Sequence, residues 1–414
     1  MTAKLDRRTF LAGTALAAAA TLPRPARAQA KPVRIGLLTV KTGPLAQGGI
    51  QMERGTIRFL KDRNYTLAGR KVELVVADTG GNPAGTKTKT QELTERDNVD
   101  MIFGPLAAFE LLAITDYAAA AKMPILSLAA AEDMTQRRPN PYFIRASATS
   151  SQGMHALADY AAKELKYKRV ITLADDFAFG HEQMAGFQRV FEDAGGRVVQ
   201  KIWVPLNALD FAPYLTQLPR DIDAVVQVFV AAQAVRFAKQ YAEQGLKERL
   251  PLIGIGVFTD ESALRSMGDE AIGIVTSLIW APTLQTPANQ TFMRLAEAKG
   301  KNPPAYFTAV MYSAGRWITA AASALEGQVE DRARFLAAIR RASETTPDPR
   351  GPITLDEYGN PTQNVYILKV ERVSGKLQNT VIHTYPMVSQ FWTYKPEEFL
   401  KMPAYDRNYP PLKP

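Results

Sequence analysis

Short apolar runs rich in Val, Ile and Leu alternate with amphipathic stretches along most of this sequence, and no other feature constrains the fold as tightly. "VRIGLLTV" leads to a helix-like stretch from about Gly48 to Lys61, "KVELVVAD" to one from about Pro83 to Arg96, and "DMIFG" to one from about Ala107 to Ala121, before "PILSLA". A second series follows "PYFIRASATSSQ", with "RVITLAD", "RVVQKIWV", "DAVVQVFV" and "PLIGIGVF" separated by helical stretches. Continuously apolar strands predict parallel sheets covered on both faces. Two such series predict an α/β protein of two doubly wound parallel-sheet lobes. After "GIVTSLIWAP" come three helical segments, Ala288 to Lys299, Tyr306 to Leu325 and Arg332 to Ala342, and then the strand-like runs "NVYILKV" and "NTVIHTY". Helices without strands cannot build a third such lobe, so the chain is expected to cross back. Residues 29–147 and 282–344 then form lobe 1, 148–281 and 345–385 lobe 2, and 386–414 a C-terminal surface tail. Three chain crossings are then expected, near Ser147, Pro282 and Thr345.

The N-terminus, "MTAKLDRRTFLAGTALAAAATLPRPARAQA", places Arg7-Arg8 before a short Ala-rich apolar stretch and Ala26-Arg27-Ala28. It resembles a twin-arginine export signal cleaved after Ala28 (residues 1–28), too short and Ala-rich to span a bilayer, and implies a periplasmic protein that is not membrane-embedded. Removing it lowers the formal net charge from +9 to about +5, a surplus too small to suggest a nucleic-acid partner. The absence of cysteine excludes disulfides, thiolate metal sites and a cysteine nucleophile.

No phosphate loop, dinucleotide fingerprint, G-x-S-x-G elbow or H-E-x-x-H helix is present, so no cofactor, metal or enzymatic activity is expected. Asp175-Asp176 beside His181 is the one acidic pair at a strand end with a histidine nearby, and a loop or cap role is its ordinary reading. Two other features stand out. In "IFGPLAAFELL" a helix opens on Ala107, Ala108 and Phe109 with no Ser, Thr, Asp or Asn to cap it, which leaves its first amides to water or to an anion. Phenylalanine also gathers at strand ends: Phe103, Phe177, Phe179, Phe229 and Phe258. That is where open α/β sheets bind ligands, and it suggests a ring-accepting cleft as the alternative to plain core packing.

"VRIGLLTVKTGPLA", "LVVADTGGNPAGTKTKTQELTERDNVDMIFGPL", "AAKMPILSLAAAEDM", "PYFIRASATSSQG" and "QYAEQGL" together resemble the periplasmic solute-binding proteins of ABC importers, in the branched-chain amino-acid-binding family (type I periplasmic binding proteins), from about Lys31 to about Gly375. The resemblance implies two hinged lobes that close on a small solute and deliver it to an ABC transporter permease; a monomer is expected. Asp78, Asn82 and Pro83 match the family's strand-to-helix turn and read as structural. Members that bind amino acids use hydroxyls and a carboxylate, and this chain departs from that pattern: Ala108 stands for the Ser, Ala130-Ala131 for Ala-Thr, Phe179-Gly180 for Tyr-Gly, and Gly256 for the acidic residue. An ammonium group would then lack a partner. The expected ligand is an aromatic carboxylate of the benzoate or hydroxycinnamate kind. The amides of Ala107, Ala108 and Phe109 would hold its carboxylate, with Thr42 and Arg145 as candidate donors. Ala129, Ala130 and Ala131 would make room for the ring, and Phe179, Phe229 and Phe258 would stack on it. A turn role for Thr42 and a pairing near the hinge for Arg145 stand beside these. The alternatives are a branched aliphatic acid, an amino acid, urea or an amide as ligand, or a sensory protein serving a membrane receptor.

Overall fold

The computed structural model describes residues 31–297 and 304–413. The export signal and the end of the helix expected to reach Lys299 lie outside the described residues. From the N-terminal side come β1 (Val33–Thr39), α1 (Ala46–Lys61), β2 (Thr66–Leu67), β3 (Arg70–Asp78), α2 (Pro83–Gln91), β4 (Met101–Phe103), α3 (Ala108–Ala120), β5 (Ile125–Ser127) and β6 (Phe143–Arg145). They build a six-stranded sheet ordered β2-β3-β1-β4-β5-β6, parallel apart from the β2–β3 pair. β1 is buried except at Arg34, as its unbroken apolar sequence requires of a central strand. Asn82 caps α2 through Oδ1, which accepts from the Gly85 N–H at 2.9 Å, and Asp78 Oδ1 accepts from the Lys41 and Gly80 amides, so this turn is structural.

The second series runs α4 (Ser150–Lys163), β7 (Arg169–Asp175), α5 (Ala178–Asp193), β8 (Arg197–Val204), α6 (Ala212–Leu215), β9 (Ala224–Val228), α7 (Ala231–Glu243), β10 (Leu252–Ile255), α8 (Glu261–Leu264) and β11 (Val275–Leu278). Three helices, α9 (Pro287–Glu297), α10 (Tyr306–Ala324) and α11 (Arg332–Thr345), precede β12 (Ile353–Leu355), β13 (Pro361–Val373), β14 (Lys376–Val388) and α12 (Pro396–Lys401). The second sheet has eight strands: β12-β13-β11-β10-β9-β7-β8 with β14 on β13, parallel from β11 to β8 and antiparallel through β12, β13 and β14. Both sheets are doubly wound, with β1 flanked by β3 and β4 and β7 by β8 and β9.

α10 lies on α1. A Cβ at Gly55 would stand 2.6 Å from the Thr308 carbonyl oxygen and one at Gly315 2.2 Å from the Phe59 ring, so two glycines allow the helices to touch. Arg350, after α11, is buried, ion-paired to Asp348 at 2.9 Å, and donates to the Ala146 carbonyl after β6. β14 continues to Val388, past the expected start of the tail at 386. The residues beyond it do more than cross a surface: Phe391, Phe399 and Tyr405 are buried around Ala185 of α5.

Candidate functional site

Loops at the carboxyl ends of the strands of both sheets meet around a cavity of about 120 Å³. Its first wall comes from Leu45, Gln47 and Gly48 at the start of α1, Leu106 to Ala108 at the start of α3, and Leu128 and Ala130 after β5. The approach to α3 depends on Gly104, whose φ is +99° and whose Cβ would stand 2.1 Å from the Leu38 carbonyl oxygen. The opposite wall holds Phe177, Phe179 and Gln183 of the α5 region, Val230 and Ala231 after β9, and Val257 and Asp260 after β10. Tyr306 and Phe307 open α10 and close a third side, their rings 5.0 Å apart. The lining is mostly apolar.

The start of α3 is only partly open. Glu110, three residues into the turn, folds back so that its Oε2 accepts the Ala107 N–H at 2.9 Å. Its Oε1 accepts from the Thr79 and Thr86 hydroxyls, and the side chain is fully buried. Burial pushes this carboxyl above the usual range, against the hydrogen bonds that favour its ionised form. The expectation that Ala107 offers its amide to a ligand is therefore corrected, because the helix supplies its own acceptor. Among the described residues no acceptor stands opposite the Ala108 and Phe109 amides, and the helix dipole points its positive end there.

Asp260 also lines the cavity, so the expectation of a cleft without an acid is corrected as well. Its Oδ1 accepts from the Ser262 and Ala263 amides at 3.0 and 3.2 Å and from the Ser262 hydroxyl, capping α8. Its carboxylate further faces the Tyr306 N–H at the uncapped start of α10. Burial raises its pKa while those donors lower it. In the sequence Gly256 stands where an amino-acid binder has its acid; in the structure the 3-10 turn Gly256–Phe258 carries the chain on to Asp260, which is the acid that reaches the cavity.

Of the other expected site residues, Ala108, Ala130 and Phe179 line the cavity together. Phe109 stands beside it, its ring 6.2 Å from that of Phe177 across the lobes. Ala129 and Ala131 are fully buried behind the wall, and Thr42 is exposed on the loop after β1. Phe229 and Phe258 do not reach the ligand space: with Phe211 they surround Phe237 in the core of the second lobe, the Phe229 and Phe237 centroids being 4.4 Å apart. Strand-end phenylalanines face either the cleft or the layer beneath it, and the helix α7 packing on them draws these two inward. Gly256 packs on Leu278, its Cβ position 2.5 Å from the Leu278 Cβ. Arg145 uses four of its five N–H donors on the Ala129 and Ala131 carbonyls, Thr135 Oγ1 and Asn360 Oδ1, so it organises the loop after β5 rather than an anion. Asp175 accepts from the Val230 amide and Asp176 pairs with His181 and Arg407, as loop and cap residues do. Sequence reasoning missed Gln47, Gln183, Ser277, Tyr306 and Phe307. Only Tyr306-Phe307, two aromatics opening an uncapped helix, carried a signal of the kind that had marked α3.

The profile of the periplasmic binding protein family matches residues 32–376. The chain is 28% identical over 384 residues to the Leu/Ile/Val-binding protein homolog 6 of Brucella suis biovar 1, covering 91% of this chain and 96% of the relative. A solute-binding protein of an ABC transporter from Rhodopseudomonas palustris BisB5, solved with 3,4-dihydroxybenzoic acid, superposes with a TM-score of 0.81 at 32% identity, covering 87% of this chain and 98% of the other. A second R. palustris solute-binding protein, solved with 4-hydroxybenzoate, does so with a TM-score of 0.81 at 28% identity, covering 87% and 99%. Two doubly wound parallel-sheet lobes with a cleft at the strand ends, matched along nearly the whole length, identify the chain as a member of the periplasmic binding protein family and a solute-binding protein of an ABC transporter.

Proposed function

We propose that this protein captures a single-ring aromatic carboxylate, of the benzoate or hydroxybenzoate kind, between its two lobes and delivers it to the transporter's permease. The observation that carries the reading is the pairing, in one cavity, of the unpartnered Ala108 amide, with that of Phe109 next to it at the helix start, and a wall of Phe177, Phe179, Tyr306 and Phe307. Amides at a helix start meet a carboxylate without a counter-charge, and ring faces accept a flat apolar body. The volume is of the order of the roughly 150 Å³ cavity that accepts benzene, which favours one ring over the longer hydroxycinnamates. The two R. palustris neighbours solved with hydroxybenzoates support the same class.

In this reading residues 29–147 and 282–344 move against 148–281 and 345–385 about the segments near Ser147, Pro282 and Thr345. The ligand stabilises the closed form because it touches both faces. Export by the twin-arginine route and action as a monomer belong to the same proposal.

Asp260 favours a second reading, a branched-chain amino acid whose ammonium it would pair. Against this, its Oδ1 already takes three donors and the carboxylate faces the start of α10. Calorimetric titration with benzoate, 4-hydroxybenzoate, p-coumarate and leucine separates the two. Tight binding of the benzoates with none of leucine is expected; tight leucine binding with no heat from the aromatic acids would overturn the assignment.

A further inference from the structure

The polar side chains that line the cavity fall into two groups. Ser147 donates to the Leu128 carbonyl, Ser150 to the Ala130 carbonyl and Glu182, and Ser262 to Asp260. Gln183, Ser277 and Thr149 differ: each is buried, at 1%, 0% and 3% exposure, and both polar atoms of the Gln183 amide, Ser277 Oγ and Thr149 Oγ1 have no hydrogen-bond partner in the protein. Thr149 is the N-cap residue of α4, where a hydroxyl has a turn of amides within reach, so it says least. Gln183 and Ser277 have no such local use. Gln183 lies one helical turn beyond Phe179 on α5, and Ser277 lies on β11 with its Oγ 3.4 Å from the Cβ position of Gly153, another lining residue.

Buried amides and hydroxyls without partners are uncommon, since each forgoes the hydrogen bonds it had in water. Here two of them, on different elements of the second lobe, border a cavity whose remaining second-lobe wall is largely apolar. Neither residue is charged, so an ionised group would find no counter-charge there, whereas a neutral hydroxyl could both donate and accept. The anion seat at Ala108 and Phe109 belongs to the first lobe, so a group that meets Gln183 is on the far side of the ring from the carboxylate.

We infer that Gln183 and Ser277 are specificity-determining residues that read a neutral hydroxyl on the ring, placed across from the carboxylate. The inference rests on the aromatic-acid reading above and narrows it to hydroxybenzoates. An amide built to meet a hydroxyl discriminates against the analogue lacking it, because that analogue leaves the amide unpaired.

The test is titration of the full mature chain with 4-hydroxybenzoate, 3-hydroxybenzoate and benzoate, repeated on Gln183→Met and Ser277→Ala. Wild type should prefer the better hydroxybenzoate to benzoate by roughly tenfold or more, one well-placed hydrogen bond. Gln183→Met should remove most of that preference by weakening hydroxybenzoate while benzoate affinity is kept or improved, a split that a general packing defect would not produce. Ser277→Ala should narrow the preference by a few-fold, and thermal melts of both variants establish that they are folded. Tight benzoate binding without hydroxyl preference, or a preference unmoved in both variants, would overturn this inference alone. If none of the three acids binds, the aromatic-acid reading itself falls and takes the inference with it.

Discussion

Gln47 on α1 donates through Nε2 to the Ser262 carbonyl on α8 at 2.9 Å, a bond between residues 215 positions apart that joins the two walls of the cavity. It is a neutral, half-buried tie between the lobes, and it sits beside Asp260, which faces the start of α10 from the same segment. Together they hold the two walls of the cavity to each other. Gln47→Ala is expected to weaken ligand binding by about 0.5–1.5 kcal/mol, the net worth of one such bond, while the melting temperature of the ligand-free protein stays put. Calorimetry and thermal melts of the same preparations check both halves.

Phe179 stands on the second-lobe wall, 5.8 Å from the Phe177 ring. Truncation to Ala should cost roughly 1–3 kcal/mol of aromatic-acid affinity through lost burial and ring contact. Phe229→Leu, deep in the Phe211–Phe237 cluster, should instead lower the melting temperature and leave affinity nearly unchanged. Equal effects on binding would mean that the core cluster reaches the ligand after all.

Glu110 holds three donors at the start of α3: the Ala107 amide and the hydroxyls of Thr79 and Thr86. Glu110→Ala leaves the buried Ala107 amide without an acceptor, while the Thr79 and Thr86 hydroxyls keep the Thr39 and Asn82 carbonyls, and a destabilisation of about 1–3 kcal/mol is expected in urea unfolding. A variant as stable as wild type would show that water replaces the carboxylate there.

His155 is enclosed by Trp392, Phe399 and Tyr405, and burial, with the Arg189 charge adding to it, pushes its pKa from 6.5 down to about 3. A depressed folded pKa means that the contribution is complete above about pH 6.5 and is lost as pH falls towards 3, since only the unfolded chain takes up the proton. Between those limits stability should fall by up to about 1.4 kcal/mol per pH unit from this group. His155→Leu should flatten the difference in that window; parallel pH–stability curves for variant and wild type would remove His155 as its source.

Much of the architecture was legible because it is written in local periodicity. The runs from Val33, Met101, Arg169, Ala224 and Leu252 are almost continuously apolar, as strands covered on both faces require, and their alternation with amphipathic stretches leaves few topologies. The antiparallel end of the second sheet was less legible: β12 is three residues long and β13–β14 is a hairpin on Ser374-Gly375, where local pattern does not say which neighbour a strand joins.

The candidate site divides in the same way. The sequence by itself determined that α3 starts without a side-chain cap at Ala107, that Ala108 and Ala130 carry no hydroxyl, and that the chain belongs among two-lobed binding proteins, because residue type and short-range order settle those matters. Only the tertiary structure decided that Glu110 closes part of the anion seat, that Phe229 and Phe258 turn into the core, and that Asp260, Gln183 and Ser277 border the cavity. The reason is physical: which way a strand-end side chain faces, and which buried polar group is left without a partner, depend on helices and loops tens to hundreds of residues away that pack against it.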